Sequence, residues 1–123
     1  MSPKKVAARA PADRVALYEK LVATVPGIER KGAGLPYTSM NGNMFSMLDG
    51  DGTLALRLPP DARKEFIARY ATKLHETYGT VMPEYVAVPP AVLEDTAALS
   101  QYWAISVEYA RTLRPKPTTR PKR

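Results

Sequence analysis

Any imidazole chemistry in this chain would have to run through a single residue, His75. A Ser-His-Asp arrangement would need it as the base, and a histidine metal site would need carboxylates for all its other ligands. His75 follows Leu74 at the expected end of an amphipathic helix, where a cation is favoured in any case, so a solvated helix-end histidine is the preferred reading. The chain has no cysteine, which removes thiol nucleophiles, thiolate metal sites and disulfides together.

Other chemically suggestive spacings fail on their flanks. Asp49-Gly50-Asp51-Gly52 resembles the middle of a calcium loop, but the first and last ligand positions would then be Met47 and Leu58, where carboxylates are required. It reads as a turn. Lys31-Gly32-Ala33-Gly34 could cradle a phosphate only if it opened a helix, and Pro36 with a strand-like run follows instead. Glu94-Asp95 are sequence neighbours that point apart on a helix, so a role at the helix dipole is favoured over an acid–base pair. No catalytic residue, metal ligand or cofactor is assigned, and the balance is against an enzyme.

One polar group is harder to dismiss. Tyr37, Ser39, Asn41 and Asn43 could line a small-ligand groove together with Tyr85, provided the later strand pairs near the first hairpin. Turn chemistry offers an alternative for both asparagines.

The net charge of +6 suggests nucleic acid until it is located. Residues 1–10 carry Lys4, Lys5 and Arg9 without an acid, and residues 114–123 carry Arg114, Lys116, Arg120, Lys122 and Arg123 without an acid. Residues 11–113 hold the other ten basic residues against all twelve acidic ones, so the body is slightly acidic. The expected organisation is a flexible basic N-terminal tail (1–10), one α+β domain (11–113) and a flexible Pro/Arg/Lys-rich C-terminal tail (114–123). The prolines bar the last segment from continuing a helix. Arg114, Lys116, Arg120, Lys122 and Arg123 are candidate phosphate contacts, but with no aromatic residue for base stacking, nucleic acid is not the favoured partner. The start of the chain has positive charge and no apolar stretch behind it, and no run approaches the about 18 apolar residues of a membrane span. A cytoplasmic protein without membrane contact is expected.

At 123 residues the chain suits one domain. Residues 11–24 predict a first helix from the stripe Val15, Leu17, Tyr18, Leu21, Val22 and Val25, ended by Pro26-Gly27. Asn41-Gly42 is a hairpin signal between Leu35–Met40 and Asn43–Leu48, since both residues accept the positive φ of a type I′ turn. Asp49–Gly52 then turns the chain into Thr53–Leu58, with Leu54, Leu56 and Leu58 on one face. Pro36 places the first of these strands at an edge. Pro59-Pro60-Asp61 opens a helix carrying Phe66, Ile67, Tyr70 and Leu74 on one face. Glu84–Val88 predicts one more short strand before Pro89-Pro90. The last helix runs from Thr96 to Leu113, capped by Thr96 or Asp95. Its apolar surface is wider than packing on one sheet needs: a deeply buried helix is the preferred account, and a helix shared with a second copy or another protein, through Tyr102, Trp103, Ile105 and Tyr109, is the alternative.

The run Asn41-Gly42-Asn43-Met44-Phe45-Ser46-Met47-Leu48, followed by Leu54-Ala55-Leu56-Arg57-Leu58, resembles the N-terminal domain of the TfoX (Sxy) competence-regulator family. Tyr85-Val86-Ala87-Val88-Pro89 and Leu93-Glu94-Asp95 are similar to that family's later strand and following acidic helix start, and part of the pattern is shared with the MmcQ/YjbR group. The resemblance covers roughly residues 35–113. It implies an α+β fold, an antiparallel β-meander plus a further strand with flanking helices, similar to secretion-chaperone-like folds. A regulatory or interaction domain without catalytic chemistry, able to form a homodimer or bind a protein partner, is the function expected; the rivals are a nucleic-acid accessory factor and a small-ligand-binding domain near Tyr37 and Tyr85.

Overall fold

The computed structural model describes residues 9–77 and 79–115, and in it the first hairpin follows from two residues. Asn41 at φ 53° and Gly42 at φ 82° make the tight turn between β1 (Tyr37–Met40) and β2 (Asn43–Leu48). The Asp49–Gly52 turn leads to β3 (Leu54–Arg57), with Asp49 Oδ1 accepting from the amides of Asp51 and Thr53, both at 3.2 Å. Helix α1 (Ala12–Val22) precedes this meander. Helix α2 (Pro60–Tyr70), β4 (Leu74–Thr77), β5 (Thr80–Val88), the single turn α3 (Pro90–Leu93) and α4 (Thr96–Thr112) follow it. The five strands form one antiparallel sheet in the order β1-β2-β3-β5-β4, so β5 returns to pair with β3 and β4 takes the outer edge. The α+β architecture and the edge position of β1 agree with the sequence expectation.

Three predictions need correcting. Leu74 was placed on the face of the second helix, but α2 stops at Tyr70 because Ala71 turns left-handed at φ 51°. Leu74 and His75 belong instead to β4, which exists through its pairing with β5. The later strand is also longer than Glu84–Val88: it starts at Thr80, and Gly79, at φ 75°, lies in the turn between it and β4. Ala10, assigned by sequence to the N-terminal tail, is buried, and its amide donates to the Gly34 carbonyl at 2.9 Å. Lys4, Lys5, Lys116, Arg120, Lys122 and Arg123 lie outside the described residues.

Helices α1, α2 and α4 pack on one face of the sheet. Leu48, Leu54 and Val88 stand in one row there and Ser46, Leu56 and Val86 in the next, all buried. A bulge in β2 enriches this face. Thr38 faces Ser46 and Ser39 faces Met44, so Phe45 is an extra residue without a partner in β1. Strict alternation would expose one of Phe45 and Ser46; with the bulge both are buried. Phe45 then meets Trp103 of α4 with ring centres 5.4 Å apart, and Tyr18 of α1 meets the same indole edge-on at 6.3 Å. On the other side of α4, Tyr102 packs edge-on against Phe66 of α2 at 4.9 Å. Asp95 caps α4 by accepting from the Ala98 amide.

Ser46 also anchors a buried chain of hydroxyls. Its Oγ lies 2.5 Å from both Tyr18 Oη and Thr38 Oγ1, and none of the three residues reaches solvent. Burial pushes the Tyr18 phenol up to about 12, against the smaller opposing pull of Ser46 and Thr38, so it stays protonated and able to donate. Because Ser46 is the middle member, Ser46→Ala orphans two buried hydroxyls, whereas Tyr18→Phe leaves the Ser46–Thr38 pair intact. We expect Tyr18→Phe to cost about 1 kcal/mol and Ser46→Ala about 2–3 kcal/mol in urea unfolding. Equal costs would show that the chain of hydroxyls is not coupled through Ser46.

Candidate interaction surface around Arg57 and helix α4

Arg57 closes β3 opposite Tyr85 of β5. The β2–β3 ladder runs only as far as Ser46 opposite Leu56, so the Met44 carbonyl, beyond the bulge, has no ladder partner in β3. Two side chains supply its hydrogen bonds instead: Tyr85 Oη donates to it at 2.7 Å and Arg57 Nη1 at 3.2 Å. Arg57 Nε donates to Glu84 Oε1 at 2.7 Å, and Tyr109 Oη of α4 donates to the same oxygen at 3.4 Å. The guanidinium carbon sits 5.7 Å from the Tyr85 ring centre and 6.0 Å from that of Tyr109, within cation–π range. Ser106 Oγ of α4 donates to the Arg57 carbonyl at 2.6 Å.

Electrostatics make this cluster a clamp. Partial burial of Glu84 would raise its carboxyl, but the Arg57 hydrogen bond and charge outweigh it and hold the carboxyl below the usual range. Burial of Arg57 is likewise outweighed by Glu84, which pushes the guanidinium up. Burial raises the Tyr85 phenol. A carboxylate fixed as an anion and a phenol fixed as a donor have no proton to exchange near neutral pH. What they do is pin the end of the sheet to α4.

Beside the clamp, Pro59, Ala104, Ile105, Glu108, Tyr109 and Thr112 line a shallow, mostly apolar groove along α4. Ile105 is 37% exposed, whereas Leu99, Tyr102, Trp103 and Val107 of α4 are buried. The four interface candidates therefore divide: Tyr102 and Trp103 are in the core, while Ile105 and the half-buried Tyr109 face the groove.

The ligand-groove candidates do not converge. Tyr37 on β1 and Tyr85 on β5 are separated by β2 and β3, because β5 pairs with β3. Ser39 Oγ accepts from Lys31 Nζ at 2.9 Å, Asn41 is exposed in the turn, and Asn43 Nδ2 donates to the Arg114 carbonyl at 2.9 Å. Asn43 thus holds the chain where it leaves α4.

His75 differs most from expectation. It is a strand residue, 3% exposed, with Nε2 3.3 Å from Asp49 Oδ2. The ring N–H lies out of line for a full hydrogen bond, so the contact is an ion pair when the imidazole is charged. Leu74 pairs with Val86 and Glu76 with Val81, so His75 sits at an irregularity in the β4–β5 ladder. Asp49 is more than turn chemistry: besides capping its own loop it ties that loop to the far edge strand. Nothing in the sequence spacing pointed to this pair, since it depends on β4. Among the described residues, no group of three or more histidine, aspartate and glutamate side chains is placed to hold a metal ion.

Burial alone would raise the Asp49 carboxyl, but His75, Asp51 and the Thr53 amide together lower it from 3.8 to about 2. A folded value below the unfolded one adds stability that is fully present above about pH 4 and is lost as pH falls towards 2. In acid unfolding followed by circular dichroism, Asp49→Asn should flatten the fall in stability over that window. An unchanged acid limb would show that Asp49 is not held down by the fold.

Among the described residues, no helix is long and apolar enough to cross a membrane. No curated protein and no solved structure gives a match to the chain. The TfoX N-terminal domain family matches residues 21–110, a span that takes in the whole sheet, the Arg57 clamp and nearly all of α4. With well over half of its length matched, this chain belongs to the TfoX N-terminal domain family.

Proposed function

We propose that this domain works by binding rather than catalysis, and that the outer surface of α4 meets a second copy of the chain. The observation that carries the reading is the combination at the Arg57 clamp: its polar groups are paired with one another, while Ile105 in the adjoining groove is exposed. An exposed isoleucine flanked by a proline and a tyrosine gains from being covered, and burial of such a side chain contributes about 1.5–3 kcal/mol. In a symmetric dimer the same residue is covered twice. Glu108, joined to Arg111 at 3.2 Å, provides a polar rim.

Sedimentation equilibrium on the full chain tests this. The wild type should dimerise in the micromolar range. Ile105→Glu should weaken dimerisation at least about a hundredfold, because it removes two apolar contacts per dimer. The helical circular dichroism should be unchanged, since the side chain points outward. A wild type that stays monomeric at high micromolar concentration would sink the proposal.

A further inference from the structure

The one imidazole of the chain is buried beside a pair of carboxylates. Asp49 and Asp51 both accept through Oδ1 from the Thr53 amide, at 3.2 and 3.0 Å, so the β2–β3 turn draws its two carboxyl groups together. The other oxygen of Asp49, Oδ2, lies 3.3 Å from Nε2 of His75 on β4. His75 is 3% exposed, and its Nε2 has no hydrogen-bond partner. A buried ring nitrogen in that state calls for a partner, and an ion is one of the few that can serve.

The geometry selects the ion. A hydrogen bond would hold Oδ2 on the axis of the ring N–H, whereas here it lies off that axis. Two ligands about 2.0–2.1 Å from a tetrahedral zinc ion stand about 3.3–3.4 Å apart, each about 35° off the other's bond to the metal. The Asp49–His75 separation of 3.3 Å matches that edge. Arg14, whose stem passes over Gly52 of the same turn, does not compete for the carboxylates, since its guanidinium is held by Glu94 and the Pro90 carbonyl. We propose that Asp49 Oδ2 and His75 Nε2 bind a zinc ion, with water at the remaining positions and the exposed Asp51 adding negative charge beside it. Two protein donors hold the ion in the micromolar range, and its effect is to link the β2–β3 turn to the edge strand β4. Zinc takes the imidazole nitrogen in place of a proton, so binding weakens as pH falls. The site is independent of self-association through α4.

Because His75 is the only histidine, nitrogen NMR of the imidazole on the full chain reads the site directly. Zinc chloride should shift the Nε2 resonance and raise the midpoint of thermal unfolding by about 3 °C or more. Magnesium, which takes oxygen ligands, should leave that nitrogen where it is. In calorimetric titration, His75→Gln and Asp49→Asn should each weaken zinc binding at least about tenfold. Glu65→Gln, which removes an exposed carboxylate from α2, should leave the affinity unchanged. The nitrogen shift is measured on the wild type, so it decides the matter even where a variant fails to fold. An Nε2 resonance that stays put in millimolar zinc, or moves equally with magnesium, would overturn the proposal. So would zinc affinity undiminished in both folded variants.

Discussion

The extra residue in β2 is the constraint on which the rest of the structure depends. By shifting the pairing between Thr38 and Ser39, it turns Phe45 and Ser46 to the same side of the sheet. Phe45 reaches the indole of Trp103, and Ser46 reaches Tyr18 and Thr38. These contacts fix α1 and α4 against the meander at one point. Without the shift, one of the two side chains would face away from the helices, and either the aromatic contact or the hydroxyl chain would be lost. A polar link inside an apolar core contributes little net stability, yet its geometry is demanding, so a slipped register would leave buried hydroxyls unpaired.

The same bulge creates the surface cluster. It ends the β2–β3 ladder early and leaves the Met44 carbonyl without a partner in β3. Arg57 and Tyr85 fill that vacancy, and once there the guanidinium recruits Glu84 and the ring of Tyr109. Core and clamp are thus two consequences of one irregularity, on either side of one strand. A side chain already committed to a backbone carbonyl and a carboxylate is poorly suited to chemistry, which is why the best-organised polar cluster supports a structural reading.

Local signals in the sequence carried the meander. Asn41-Gly42 and Asp49–Gly52 are turns that need little tertiary help, and the alternating leucines of β3 set its face. The misreadings came where tertiary pairing overrides local pattern. Phe66, Ile67, Tyr70 and Leu74 keep helical spacing, but the left-handed Ala71 stops the helix between the third and the fourth. That stop was not legible, because alanine is a strong helix former and a glycine is the usual marker of such a position. With β4 unseen, the meeting of His75 and Asp49 was out of reach. The bulge was equally hidden, since Asn43–Leu48 has no glycine to mark it. Two of the four interface residues lie in the core for a related reason: a broad apolar stripe on α4 looks the same whether it meets a second copy or, as here, meets α1, α2 and the sheet at once.

The residues that gave the family resemblance explain what membership does and does not carry. Asn41–Leu48 is the turn and bulged strand, Leu54–Leu58 the central strand with Arg57 at its end, and Tyr85–Pro89 the strand that brings in Tyr85. These stretches supply the bulge, the ladder beside it and the clamp, so this part of the shared pattern is a specification of architecture. Since the turns and buried contacts hold the scaffold together whatever its outer residues are, members of one family can keep this fold and change what meets it.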